Sequence, residues 1–214
     1  MTTTQLDVAL TPAPAVRMLS RLGADTRYVL TGFPAGLGAL IVCATGAAVG
    51  IGLAAVGIGV PIFFAAMMAA RGFAAAERER TGLPEHSYRS TASPSLWRRL
   101  AEVLLDPQSW RDLAHASLRF IPSTIGFALV VAWWAGVAGG LGWSLYGWAL
   151  PGDNLPELLG FNDSYSTGVI FYLVVGAAFA VTLPGVVRAA AELEIRFARA
   201  LLTRRRPPRV AEGA

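Results

Sequence analysis

The stretch VLTGFPAGLGALIVCATGAAVGIGLAAVGIGVPIFFAAMMAA, residues 29–70, runs for 42 residues without an Asp, Glu, Lys, Arg or His. About 20 apolar residues cross the hydrocarbon core of a bilayer. As one helix this stretch would reach about 63 Å at 1.5 Å per residue, twice that thickness. It must therefore turn back on itself. Gly46, Gly50 and Gly52 are the expected tip, which gives spans near 29–48 and 51–71.

Two further stretches, 120–152 and 164–187, are equally free of charge. Each has room for one span, near 120–147 and 166–187. Between them Pro151-Gly152-Asp153-Asn154 and Pro156 carry turn chemistry. The composition agrees: 54% of the 214 residues are hydrophobic, 15% are charged, and mean hydropathy is +0.51. A soluble domain carries about 25% charged residues. The expected fold is all-α and polytopic: four transmembrane helices arranged as two hairpins, with interfacial amphipathic helices on the cytoplasmic side.

Charge sets the expected orientation. All 18 basic residues are arginines. Three precede residue 29, eight lie in 71–119 and seven in 188–214, while the 148–168 loop carries only Asp153, Glu157 and Asp163. The positive-inside rule then places both termini and the 71–119 segment in the cytoplasm of a cell whose inner (plasma) membrane holds the chain. Trp143, Tyr146, Trp148 and Tyr165 form the matching outer aromatic belt. The domain plan is a cytoplasmic segment 1–28, a membrane domain 29–203 with a cytoplasmic loop 72–119, and an Arg/Pro-rich tail 204–214. A cleaved signal peptide is not expected, since the apolar region is too long and starts too late. The lone Cys43 offers neither a disulfide framework nor a metal cluster. The sequence pI near 9.8 is accounted for by arginines set against anionic lipid, so the bilayer and not nucleic acid is the expected partner.

The segment between the second and third spans is the most informative polar region. Leu96, Trp97, Leu100, Val103 and Leu104 recur at helical spacing, with Arg98, Arg99 and Glu102 opposite. This predicts an amphipathic helix lying in the inner interface. Asp106 suits an N-cap and Pro107 a first helical position. A second short helix then carries Trp110, Leu113, Ala114 and Leu118 on its apolar side and Arg111 and Asp112 on the other, entering the third span through Arg119.

These motifs resemble a known family. ARGFAAAERERTGLPEHSYR followed by LLDPQSWRDLAHASLRF is similar to the four-span sensor domain of actinobacterial membrane sensor histidine kinases. There, an Ala-Arg-Gly exit from the second span leads to Glu-Arg-x-Arg, then Tyr-Arg, then Asp-Pro-x-x-Trp-Arg-Asp-Leu. The matching residues are Ala70-Arg71-Gly72, Glu77-Arg78-Glu79-Arg80, Tyr88-Arg89 and Asp106-Pro107 with Trp110-Arg111-Asp112-Leu113. TGFPAGLGAL at 31–40 fits as well, so the resemblance covers roughly residues 27–203. It implies signal transduction of the two-component type and, in the kinases, a homodimer. In those kinases the last span continues into phosphoacceptor and ATP-binding domains. Here a helix from Arg188, with Ala190, Leu193, Phe197 and Leu201 on one face, meets Thr203-Arg-Arg-Arg-Pro-Pro-Arg. Prolines end helices, and the remaining residues are too few for a domain, so a sensor module without the kinase is expected.

The two halves of the chain rhyme. LTGFPAGLGALIV (30–42) aligns with LRFIPSTIGFALV (118–130), and Pro61 then Arg71 parallels Pro184 then Arg188. Each exit is followed by an Ala-rich amphipathic helix that carries glutamate, at Glu77 and at Glu194. High alanine and glycine content inflates such matches, so the repeat stays open.

The candidate signalling residues are Arg71, Glu77, Arg78, Arg80, Tyr88, Arg89, Asp106, Pro107, Trp110, Arg111, Asp112, Arg188 and Glu194. The 77–80 run reads either as a contact surface or as a solvated juxtamembrane helix with i,i+3 and i,i+4 pairs. Tyr88-Arg89 with Asp106, Arg111 and Asp112 reads either as a polar lock between loop and membrane helices or as simple capping and anchoring. His86 and His115 lie 29 residues apart without ligand-spaced partners. Gly32/Gly36, Gly46/Gly50 and Gly136/Gly140 are small-xxx-small steps that permit close helix approach. No ionisable residue lies deep in a span, which disfavours an ion-coupled transporter. No phosphate loop, catalytic triad, paired carboxylates, metal set or cofactor motif is present, so no enzyme is expected. The functional expectation is a membrane sensor module that relays a stimulus to a separate histidine kinase or transcription regulator. The alternative is an accessory or scaffold subunit of a transport complex.

Overall fold

The computed structural model describes residues 14–86, 88, 96–150, 155–162 and 164–203. All regular structure among them is helical. Helix α1, Pro14–Leu40, passes through a π-helical turn, Ile41–Thr45, directly into α2, Gly46–Gly52. After a short turn come α3, Gly59–Thr81, then α4, Leu96–Leu105, α5, Pro107–Leu118, and α6, Phe120–Tyr146. The one-turn α7, Leu155–Leu158, precedes the long α8, Tyr165–Leu202. Four stretches are long and apolar enough to cross a membrane: Ala15–Gly52, Gly59–Thr81, Pro107–Ala149 and Tyr165–Leu202. This is an all-α membrane protein.

The first hairpin turns later than the sequence suggests. Gly46, Gly50 and Gly52 are all helical, and the reversal falls after Leu53, where Gly57 adopts φ 82°. That left-handed conformation is where an absent side chain is needed for the turn. Gly46 and Gly50 use the same absence differently. A Cβ on Gly50 would lie 2.7 Å from the Phe63 backbone nitrogen, and one on Gly46 would lie 2.9 Å from the Ala66 Cβ. Their job is close helix approach, which in lipid takes the place of a hydrophobic driving force.

The helices contribute to two compact units. The first comprises Met1–Thr31 and Ile125–Ala191, and its core is Val29, Val130, Leu183, Val187, Ala190 and Ala191. Gly140 there lies so close to Gly176 that an added Cβ would sit 2.5 Å from the Gly176 Cα. The second unit comprises Gly32–Thr124 and Glu192–Ala214. Its apolar core is small: Ala39, Cys43, Ala70 and Ala116 form one cluster, and Ala74, Ala198 and Leu202 another. Alanine and cysteine fill little volume, so polar groups occupy much of the interior of this unit.

The glycine assignments are testable. Gly50→Ala should lower thermal stability in detergent by about 1–3 kcal/mol, the usual cost of overpacking against backbone that cannot move away. Gly52→Ala has nothing within 4 Å of the new methyl and should change stability by less than about 0.5 kcal/mol. Equal effects of the two substitutions would refute the packing role.

Candidate functional site

Helix α5 presents its polar face inward. Gln108 and Ser109, then Asp112 and His115, follow one another around one face of the helix and are all buried, as is Arg119 just beyond. Trp110 and Leu118, on the apolar side, are 47% and 48% exposed. When water is the solvent, apolar residues face the protein. In a membrane-spanning chain the exterior is itself apolar, so exposed apolar residues carry no penalty, while polar groups must find partners inside. The last helix shows the same pattern. Of Ala190, Leu193, Phe197 and Leu201, which share one face by sequence spacing, Leu193 is 41% exposed, while Glu194 is buried. The buried stripe is Ala190, Ala191, Glu194, Ala198 and Leu202.

Asp112 anchors the site and is 0% exposed. Its carboxylate accepts from Arg78 Nη2 at 2.7 Å and from Gln108 Nε2 at 2.9 Å, and also accepts from the Tyr88 hydroxyl. Tyr88 in turn accepts from Arg78 Nη1 at 3.0 Å, which closes a three-membered ring of charged and polar groups. The Tyr88 phenol is pushed up from 10.0 to about 12, first by burial and then by the hydrogen bond and charge of Asp112, against a smaller downward pull from Arg78. It therefore remains a neutral donor throughout the physiological range.

Arg71 extends the ring. Its guanidinium lies 4.3 Å from the centre of the Tyr88 ring, donates to Ser109 Oγ from Nε at 3.0 Å, and pairs with Asp106 at 3.3 Å. Asp106 also caps α5, accepting from the Gln108 backbone N–H at 3.0 Å, with Pro107 at the first helical position. The lock and the capping roles thus coexist in one residue.

A second group centres on Arg119. It reaches Glu77 through Nη1 at 2.7 Å and Glu194 through Nη2 at 3.8 Å. Glu77, which with Arg78 also admits a solvated reading of the 77–80 run, is 1% exposed and Arg78 is 2% exposed. Both are interior groups. Arg80 adds a 3.4 Å contact to Glu77 from the rim. Gly32 makes room for the Glu194 carboxylate, since a Cβ there would sit 2.6 Å from its Oε2. Neither Glu194 oxygen and neither ring nitrogen of His115 has a hydrogen-bond partner among the described residues. The His115 ring instead stacks on Phe197, with centroids 5.7 Å apart.

Eight of the expected site residues converge here: Arg71, Glu77, Arg78, Arg80, Tyr88, Asp106, Asp112 and Glu194. Trp110 and Arg111 act at the periphery. The Trp110 indole donates to the Leu104 carbonyl at 2.9 Å and its ring meets Phe63, while Arg111 donates to the Ala200 carbonyl at 2.9 Å. Arg188 belongs to the other unit, and Arg89 lies outside the described residues. The sequence reading omitted Gln108, Ser109, His115 and Arg119 from the site, although they lie four and three residues before Asp112 and three and seven after it, a continuous helical stripe. The described residues include no group of three or more His, Cys, Asp or Glu placed to hold a metal ion.

Removing one partner of a buried pair leaves the other charge unpaired and costs about 3–5 kcal/mol. Asp112→Ala should accordingly lower the melting temperature sharply. The double substitution Arg78→Met with Asp112→Leu should recover most of the loss, because a matched apolar pair strands no charge. A double variant as unstable as the single one would show that the ring is not an isolated pair in energetic terms. The raised Tyr88 value also predicts alkaline behaviour. Its stabilising contribution is complete below pH 10, where the phenol is protonated folded or unfolded, and fades as pH rises through about 12. A phenolate absorbance titration of the intact chain against Tyr88→Phe should assign the difference to a transition near 12.

A family model described as "Putative sensor" matches residues 28–202. No curated protein and no solved structure matches the chain. The matched region takes in every residue of the buried charge cluster, and the chain belongs to this sensor family.

Proposed function

We propose that the chain is the membrane-embedded sensor module of a bacterial signalling system. In this reading it sits in the plasma membrane with both termini and the 72–119 segment on the cytoplasmic side. The arginine distribution supports that orientation, with none of the 18 in the 148–168 loop. The module is not an enzyme and uses no cofactor. It changes its helix packing on stimulation and passes the change to a separate histidine kinase or transcription regulator, acting as a homodimer.

Arg119 carries the reading. One guanidinium joins Glu77 on α3 to Glu194 on the cytoplasmic extension of α8, so the exits of the second and fourth spans share a charge. Signal relay needs an element with two arrangements that a stimulus can bias. The two ends of the cluster differ in how firmly they are held. Asp112 has three hydrogen-bond donors, whereas Glu194 is met by Arg119 at 3.8 Å without a hydrogen bond. The firm end is a clamp between α3 and α5, and the loose end is where α8 can change its hold.

The loop between the last two spans is too short for a ligand-binding domain, so the stimulus is read within the bilayer or at its outer face. A lipid, an amphiphile or bilayer stress would serve. A groove of about 210 Å³ lined by Gly136, Gly140, Trp143, Tyr172 and Phe179 supports an apolar or amphiphilic stimulus.

The test is a crosslinking pull-down from native membranes with the intact chain, with the chain lacking 204–214, and with Arg119→Gln. A kinase or transcription regulator should be recovered with the intact chain, and its output should change with Arg119→Gln although the variant still inserts. Recovery of transporter subunits, or of this chain alone, would sink the proposal.

A further inference from the structure

The strongest unassigned feature lies in the other unit. On α1, Arg17 and Arg21 are one helical turn apart, as are Met18 and Leu22, which gives an arginine stripe beside an apolar one. Together with Arg188 of α8 these side chains line a cavity of about 410 Å³. That volume falls within the range of small-molecule sites, about 300–1,000 Å³. Three guanidiniums line the cavity beside one carboxylate, Asp25. Pro184 completes the wall.

The lining specifies a ligand class. Guanidinium groups bind phosphate through paired, charge-assisted hydrogen bonds and do so better than other cations. The methionine and leucine beside them favour an apolar continuation of the same ligand. The arginines also flank the apolar segments: Arg21 precedes the charge-free stretch 29–70, and Arg188 ends the charge-free stretch 164–187. Arginines at such boundaries are the groups that meet lipid phosphates.

We propose that this cavity binds a phosphoryl anion, supplied by an anionic phospholipid whose acyl chain lies along Met18 and Leu22. The site stands independently of the sensor reading. Its test measures binding and not signalling, so either can fail without the other.

The full-length protein would be reconstituted into phosphatidylcholine vesicles with and without phosphatidic acid, re-extracted, and its retained lipid counted by native mass spectrometry. Phosphatidic acid should be retained over phosphatidylcholine. Arg21→Gln and Arg188→Gln should each weaken retention about tenfold, the value of one charge-assisted contact. Asp25→Asn, which removes the competing carboxylate, should strengthen it, and that gain cannot come from misfolding. Glycerol phosphate added to the phosphatidylcholine sample separates the sources. Binding of this soluble ester with loss in the same variants would keep the phosphoryl site but assign it to a soluble ligand, overturning the lipid source. Equal retention of both lipids by the unaltered protein, or retention of phosphatidic acid indifferent to all three substitutions, would overturn the site.

Discussion

Two glutamates from opposite halves of the chain share one guanidinium, and much of the second unit is arranged around that fact. Glu77 and Glu194 both point at Arg119, and Asp112 takes Arg78. The buried set is therefore three carboxylates, Glu77, Asp112 and Glu194, against two arginines, Arg78 and Arg119. Its formal charge of minus one is offset by Arg80, which contacts Glu77 from a partly exposed position. Buried charges are tolerated only when paired and hydrogen-bonded. That requirement fixes the approach of α3, α5 and the end of α8 more narrowly than alanine packing alone could. A core of Ala39, Ala70, Ala74, Ala116 and Ala198 has little shape with which to specify a unique fit.

The convergence leaves the internal repeat where the sequence puts it. Glu77 follows Arg71 by six residues as Glu194 follows Arg188, but the Ala-Ala-Ala-Glu runs 74–77 and 189–192 pair Glu77 with Glu192 instead. Each helix carries two glutamates, and one from each meets Arg119. The shared contact is a property of the buried joint and holds whichever alignment is chosen.

The existence of four apolar stretches was legible because runs as long as 29–70, 120–152 and 164–187 without a charge suit the hydrocarbon core of a bilayer and little else. The exact turn was not, because glycine serves two purposes that look alike in sequence. Gly57 makes the turn, whereas Gly46 and Gly50 permit helix contact. The residue types of the site were legible in part, since eight of the named residues meet. The inward face of α5 was not, because amphipathicity reports only that a helix has two faces. Which one is buried depends on what surrounds it. With lipid outside, Trp110 and Leu118 can face outward while Gln108, Ser109 and Asp112 face in. His115 looked unpromising for lack of ligand-spaced partners, and it stacks on Phe197 instead.

The same reversal separates the charge cluster from the cationic cavity in kind. In the cluster every guanidinium is matched by a carboxylate of the chain, which suits an internal joint whose strength depends on mutual position. The cavity lining sets the exposed Arg17, Arg21 and Arg188 beside Asp25, Met18 and Leu22. A guanidinium carries five N–H donors, so an exposed arginine that holds a partner within the chain still has donors to offer an anion from outside. Exposure, more than the count of arginines, separates the residues that hold this protein together from those that face its surroundings.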